Sequence, residues 1–178
     1  MAYYVRAINT EFWPDQFEYE NITDLSADVL SDLHTEGQDL SFWWAETEEA
    51  IDDAVLAYLG SVDRWTSHGV TDGQDFVAIN AEFVDAANIE AIQEDNFTEI
   101  NGYEKKHYNF KNLTVGSLET VVSLVIKAMS DNKEINYDSQ QIEKLFRKAL
   151  AENLISKASI DKTNHGSLLK YIKAIEAD

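Results

Sequence analysis

Hydrophobic and polar positions divide the chain into segments of two periods. Residues 3–8, YYVRAI, are rich in strand formers and predict an early, partly buried strand. Phe12-Trp13-Pro14 interrupts regular structure, because proline restricts the residue before it. Phe17, Tyr19 and Ile22 then alternate with Glu18 and Glu20, which predicts a second strand ending near Asn21 with an acidic side toward water. The period changes after Thr23, a candidate N-cap. Leu25, Val29, Leu30 and Leu33 fall on one helical face, while Asp24, Asp28 and Asp32 follow one another at four-residue spacing along another.

A turn around Gly37 leads to a strand expected over 40–45, which carries Phe42, Trp43 and Trp44. Neighbouring residues of a strand face opposite ways, so one tryptophan is expected in the core and the other over a neighbouring element or at an interface. The next helix is expected over 48–59, with Thr47 as N-cap, Glu48 and Glu49 in the first turn, and Gly60 as a left-handed stop. Its projection puts Ile51, Ala54, Val55, Tyr58 and Leu59 on the packing side, with Glu48, Glu49, Asp52 and Asp53 opposite. Leu56 falls in the middle of that acidic side, as an exposed leucine or an apolar contact within a charged binding face.

Residues 61–75 read as a turn-rich connection whose glycines do not match a phosphate loop. FVAINAEFV over 76–84 predicts a buried strand, 85–94 a short acidic helix, and 107–115 a further strand, with Phe97, Ile100 and Tyr103 as anchors between them. Three amphipathic helices follow, over 117–129, 139–156 and 166–175, the second opened by the capping-box pair Asp138 and Gln141. The fold class is therefore α+β: a small mixed or antiparallel sheet with acidic helices and a helical C-terminal part. One compact domain over 1–178 is expected, with a compositional division near Gly102 into an acidic part (1–102) and a mainly helical part (103–178).

Charge sharpens this division. The 178 residues carry 33 acids against 14 lysines and arginines, a net charge of -19. Residues 1–100 hold 23 acids and only Arg6 and Arg64, a balance of -21, whereas residues 101–178 hold 10 acids and 12 bases, a balance of +2. A 20.2 kDa protein exposes roughly 9,000 Å². If half of that belongs to the acidic part, its charge density is about half that of duplex DNA. Such a surface repels nucleic acid and steers a basic protein toward itself.

Chemistry-bearing motifs narrow the remaining choices. The absence of cysteine excludes disulfides, thiolate nucleophiles and sulfur-ligated zinc. His34, His68, His107 and His165 have no partner at helical metal-ligand spacing, and residues 131–138 lack the glycine and terminal glutamate of a calcium loop. Glu48 with Asp52 and Glu49 with Asp53 are close on one helix, but an exposed ridge does not separate their pKa values as acid-base catalysis requires. Ser67-His68 and Ser167 with His165 lack a nucleophile motif. No catalytic residue, metal or cofactor is assigned. No signal-like opening or membrane-length apolar run is present, so a cytoplasmic protein is expected.

In its electrostatic character the chain resembles the broad class of acidic, nucleic-acid-mimicking inhibitor proteins of mobile elements, and small immunity proteins that neutralise a basic toxin. The corresponding expectation is an acidic inhibitor that presents a nucleic-acid-like surface to a DNA- or RNA-binding protein. Asp24, Asp28, Asp32, Glu48, Glu49, Asp52 and Asp53 form the contact set, with Leu56, Trp43 and Trp44 as apolar contacts. The competing expectations are an immunity protein or assembly adaptor that binds a basic protein without mimicry, and a hydrolase or other enzyme with an unidentified carboxylate site. Homodimerisation is left open by the sequence.

Overall fold

Along Tyr3–Ile8, alternation sends Tyr3 and Val5 to one side and Tyr4 and Ile8 to the other, and all four are buried. A strand buried on both faces needs a covering layer on each. The computed structural model describes residues 1–13, 27–35, 37–61, 73–158, 160 and 166–177, and supplies both layers. In chain order the elements are β1 (Tyr3–Ile8), α1 (Asp28–Asp32), β2 (Leu40–Ala45), α2 (Ile51–Ser61), β3 (Gln74–Asn80) and α3 (Ala81–Ala86). They continue with β4 (Ala91–Gln93), β5 (His107–Phe110), α4 (Val115–Ser130), β6 (Glu134–Tyr137), α5 (Ser139–Ala151) and α6 (Gly166–Ala177).

The six strands form one sheet in the order β4-β5-β2-β1-β3-β6, and every pairing is antiparallel. Tyr3, Val5, Trp43, Ala45, Phe76 and Ala78 face a core closed by α2, α5 and α6. Tyr4, Ile8, Phe42, Val77, Ile79 and Phe110 face a second core closed by α1, α3 and α4. The protein is thus α+β, a three-layer arrangement around an antiparallel sheet. Acidic and near-neutral parts both contribute strands, so the change of composition near Gly102 runs through the sheet.

Local chemistry explains several element ends. Asp138 accepts from the Gln141 N–H at 2.8 Å while the Gln141 side chain accepts from the Asp138 N–H at 2.8 Å, the reciprocal box expected from the sequence. Thr114 and Ser117 make a second such box at α4. The strand expected over 76–84 ends at Asn80, whose side chain accepts from the Glu82 N–H at 2.9 Å and starts α3. Consequently the helix expected over 85–94 is displaced, and its last residues form β4 instead. The strand over 107–115 stops at Phe110.

Gly60 also departs from expectation. It lies inside α2 and stops nothing: a Cβ there would sit 2.6 Å from Thr98 Oγ1 and 2.6 Å from Ile100 Cγ1. Glycine at this position admits the 98–100 segment against the helix, where the Glu99 N–H donates to the Gly60 carbonyl at 3.0 Å. The strand expected over residues 17–21, the Thr23 cap, Leu25, Ser67, His68, Gly69 and His165 lie outside the described residues.

Candidate functional site

The two acidic rows sit on different faces of the sheet. α1 packs Val29 and Leu33 into the core shared with α4, whereas α2 packs into the core shared with α5 and α6. Asp28 is exposed on α1. Asp32 turns inward, accepting from the Asn9 N–H at 3.1 Å and the Trp13 indole N–H at 2.6 Å. Burial pushes the Asp32 carboxyl up, while those two donors and Arg6 oppose the shift. Asp24 lies outside the described residues. Asp28 and Asp32 therefore do not extend the α2 acids into one strip.

On α2 the acids have structural partners of their own. The Tyr137 hydroxyl donates to Asp52 at 2.6 Å, and Asp53 adds to the burial that raises the Tyr103 hydroxyl. Glu48 pairs with Lys133 at 2.6 Å. Glu49 is fully exposed, and its carboxyl is held below the usual range by its own backbone N–H and the Thr47 hydroxyl. Thr47 therefore serves a carboxylate and makes no side-chain cap.

Leu56 corrects the expectation of an exposed apolar contact, since it is 4% exposed. The helical projection anticipates one buried face, but α2 is covered on two sides: the sheet takes one, and Leu145, Ala149 and Leu154 meet Leu56 from the other. Trp43 is buried toward the α2 layer and Trp44 is half-buried on the opposite side, edge-on to Tyr4. Both flank a covered sheet, as alternation requires.

A different acidic grouping emerges at one end of the sheet. Tyr3 pairs with Ala45 on one side and Asn80 on the other. The chain leaves these two strands about 10 Å apart, two strand spacings, through Glu46 and Glu82 respectively. Glu48 and Glu49 follow in the 3₁₀ turn before α2, and all four side chains are exposed. Among the described residues, Lys133 on Glu48 is the one cation paired with this rim.

The same sheet holds a polar cavity at its other aspect. β1 and β2 pair only from Tyr3–Val5 to Trp43–Ala45; beyond Val5 the Arg6 guanidinium replaces the ladder, donating to the Ser41 carbonyl at 2.8 Å and the Asp32 carbonyl at 3.1 Å. Arg6 lines a partly enclosed cavity of about 170 Å³ together with Trp43, Tyr58, Ser61, Asn96 and His107. His107 is 3% exposed, and its Nδ1 lies 3.1 Å from the Glu94 carbonyl. Burial pulls its pKa down, so the imidazole is neutral; because a carbonyl only accepts, Nδ1 carries the proton and Nε2 is an acceptor. Arg6 Nε and His107 Nε2 are both buried without a hydrogen-bond partner.

Neither residue stood out in the sequence, although a lone arginine inside an apolar strand was an available signal. Among the described residues no three His, Asp or Glu side chains converge as a metal site, and no helix is long and apolar enough to cross a membrane. Compared with protein-family models, curated proteins and solved structures, the chain has no match in any of the three.

Proposed function

We propose that the protein acts by binding a basic protein through the rim formed by Glu46, Glu48, Glu49 and Glu82. Where that partner binds nucleic acid, the rim occupies its phosphate-contacting surface and makes the chain an inhibitor. The observation that carries this reading is the register of β1: its first residue sits between the ends of β2 and β3, where the chain leaves the sheet toward Glu46, Glu48 and Glu49 on one side and Glu82 on the other. With a single paired cation the rim keeps most of its negative charge uncompensated, and the net charge of -19 adds long-range steering toward a positive surface at low salt.

This reading shifts the contact set from the two helical rows to the sheet end, retaining Glu48 and Glu49 and adding Glu46 and Glu82. Affinity capture with the intact chain, followed by titration of the recovered partner, tests it. The triple variant Glu46→Gln, Glu49→Gln, Glu82→Gln is expected to keep its fold and bind at least about tenfold more weakly at low salt. Unchanged affinity and unchanged salt dependence would overturn the reading. Competition by duplex or single-stranded nucleic acid separates the inhibitor from an immunity protein or adaptor that binds a basic protein elsewhere.

A further inference from the structure

We propose that the cavity between the split of β1 and β2 and the last turn of α2 binds a small oxyanion that also carries a hydroxyl, inorganic phosphate being the simplest example. The cavity wall carries a buried cation. Arg6 is the only arginine or lysine among the described residues before position 100, and its guanidinium donates to two neutral carbonyls. The Asp32 carboxylate lies near enough to favour the charged guanidinium, but its oxygens accept from Asn9 and Trp13 and it makes no direct ion pair with Arg6. A cation taken out of water is ordinarily matched by an anion in direct contact, and at Arg6 burial outweighs the field of Asp32, which offsets the desolvation only in part.

Hydrogen-bonding direction points to the same ligand. Arg6 Nε carries a donor without an acceptor, while His107 Nε2 is an acceptor without a donor. Both residues line the same cavity, to which Ser61 and Asn96 add a hydroxyl and an amide. At neutral pH phosphate offers negative oxygens for the guanidinium and at least one P–OH for the imidazole. Sulfate offers the oxygens alone. A volume of about 170 Å³ is more than ten times the roughly 10–15 Å³ that one water requires, and accommodates a tetrahedral anion with companion waters.

The test titrates the intact protein with phosphate and, separately, with sulfate at pH 7, following the side-chain N–H resonance of Arg6 and the ring resonances of His107. Both are expected to shift together and saturably with phosphate, and sulfate is expected to bind at least about tenfold more weakly, as in sites built around a ligand hydroxyl. His107→Gln should narrow that preference, and Arg6→Lys should weaken both anions. Absence of saturation with phosphate, or equal affinity for the two anions, would overturn the proposal. Where a variant fails to fold, the wild-type titration alone decides. Binding of the acidic rim to its partner is read in a separate experiment, so either proposal can fail without the other.

Discussion

Gly60 shows how a single missing methyl group positions two segments. Replacement by alanine would favour the helix by about 1 kcal/mol in isolation. Here the added Cβ meets Ile100 and Thr98 at 2.6 Å, and the Thr98 hydroxyl is itself fixed by donating to the Ala57 carbonyl at 2.8 Å. The overpacking term wins, and Gly60→Ala is expected to lower stability by about 1–3 kcal/mol in chemical denaturation. Leu56 offers the complementary measurement. Leu56→Ala is expected to cost about 2–5 kcal/mol because it opens space between α2 and α5, whereas an exposed leucine would tolerate the change. Arg6 and His107 were illegible beforehand for a residue-scale reason: their meaning lies in hydrogen bonds left unmade, which no spacing along the chain reveals.

At the scale of elements, legibility followed the strength of the period. β1 and β2 stand where alternation and aromatic content place them, over 3–8 and 40–45. α4, α5 and α6 follow the helical stripes, with α5 ending at Ala151 rather than at residue 156. β6 escaped notice because EINY is a four-residue edge strand whose exposure leaves little contrast between its two sides. FVAINAEFV misled for a different reason: a continuous apolar run has no period, and the Asn80 cap was the signal that divides it into β3 and α3. The α5 cap can be tested directly. Asp138→Ala removes an acceptor for the Gln141 N–H and is expected to cost about 1 kcal/mol, read as a lower denaturation midpoint with an unchanged slope.

For the whole molecule, the buried and half-buried tyrosines set an alkaline limit. Burial is the first cause holding the Tyr4, Tyr103 and Tyr171 hydroxyls up at about 12, against an ordinary 10, and Tyr137 is raised in the same direction by burial and by Asp52. A group whose folded pKa is raised contributes its full share below the unfolded value and loses it as pH climbs through the folded one. Stability is therefore expected to fall from about pH 10 toward 12. Denaturation midpoints across that range, followed together with tyrosinate absorbance, check the direction; midpoints that stay level would contradict it. The folded arrangement also redistributes the charge polarity of the sequence, because Lys111 and Lys133 reach back to Asp39, Glu94 and Glu48. Glu46, Glu49 and Glu82 stand outside such pairs, which is why the rim and not the total charge carries the proposed contact.

The central place of β1 has a consequence during synthesis. Its two neighbours emerge from the ribosome in turn, β2 within the first 45 residues and β3 only by residue 80. In the interval a β1 paired with β2 alone would present an unsatisfied backbone edge lined by tyrosine and valine, a template open to any passing strand. A pause in translation before β3 clears the ribosomal exit tunnel would lengthen that exposure, whereas a later one would find β3 free to pair beside it.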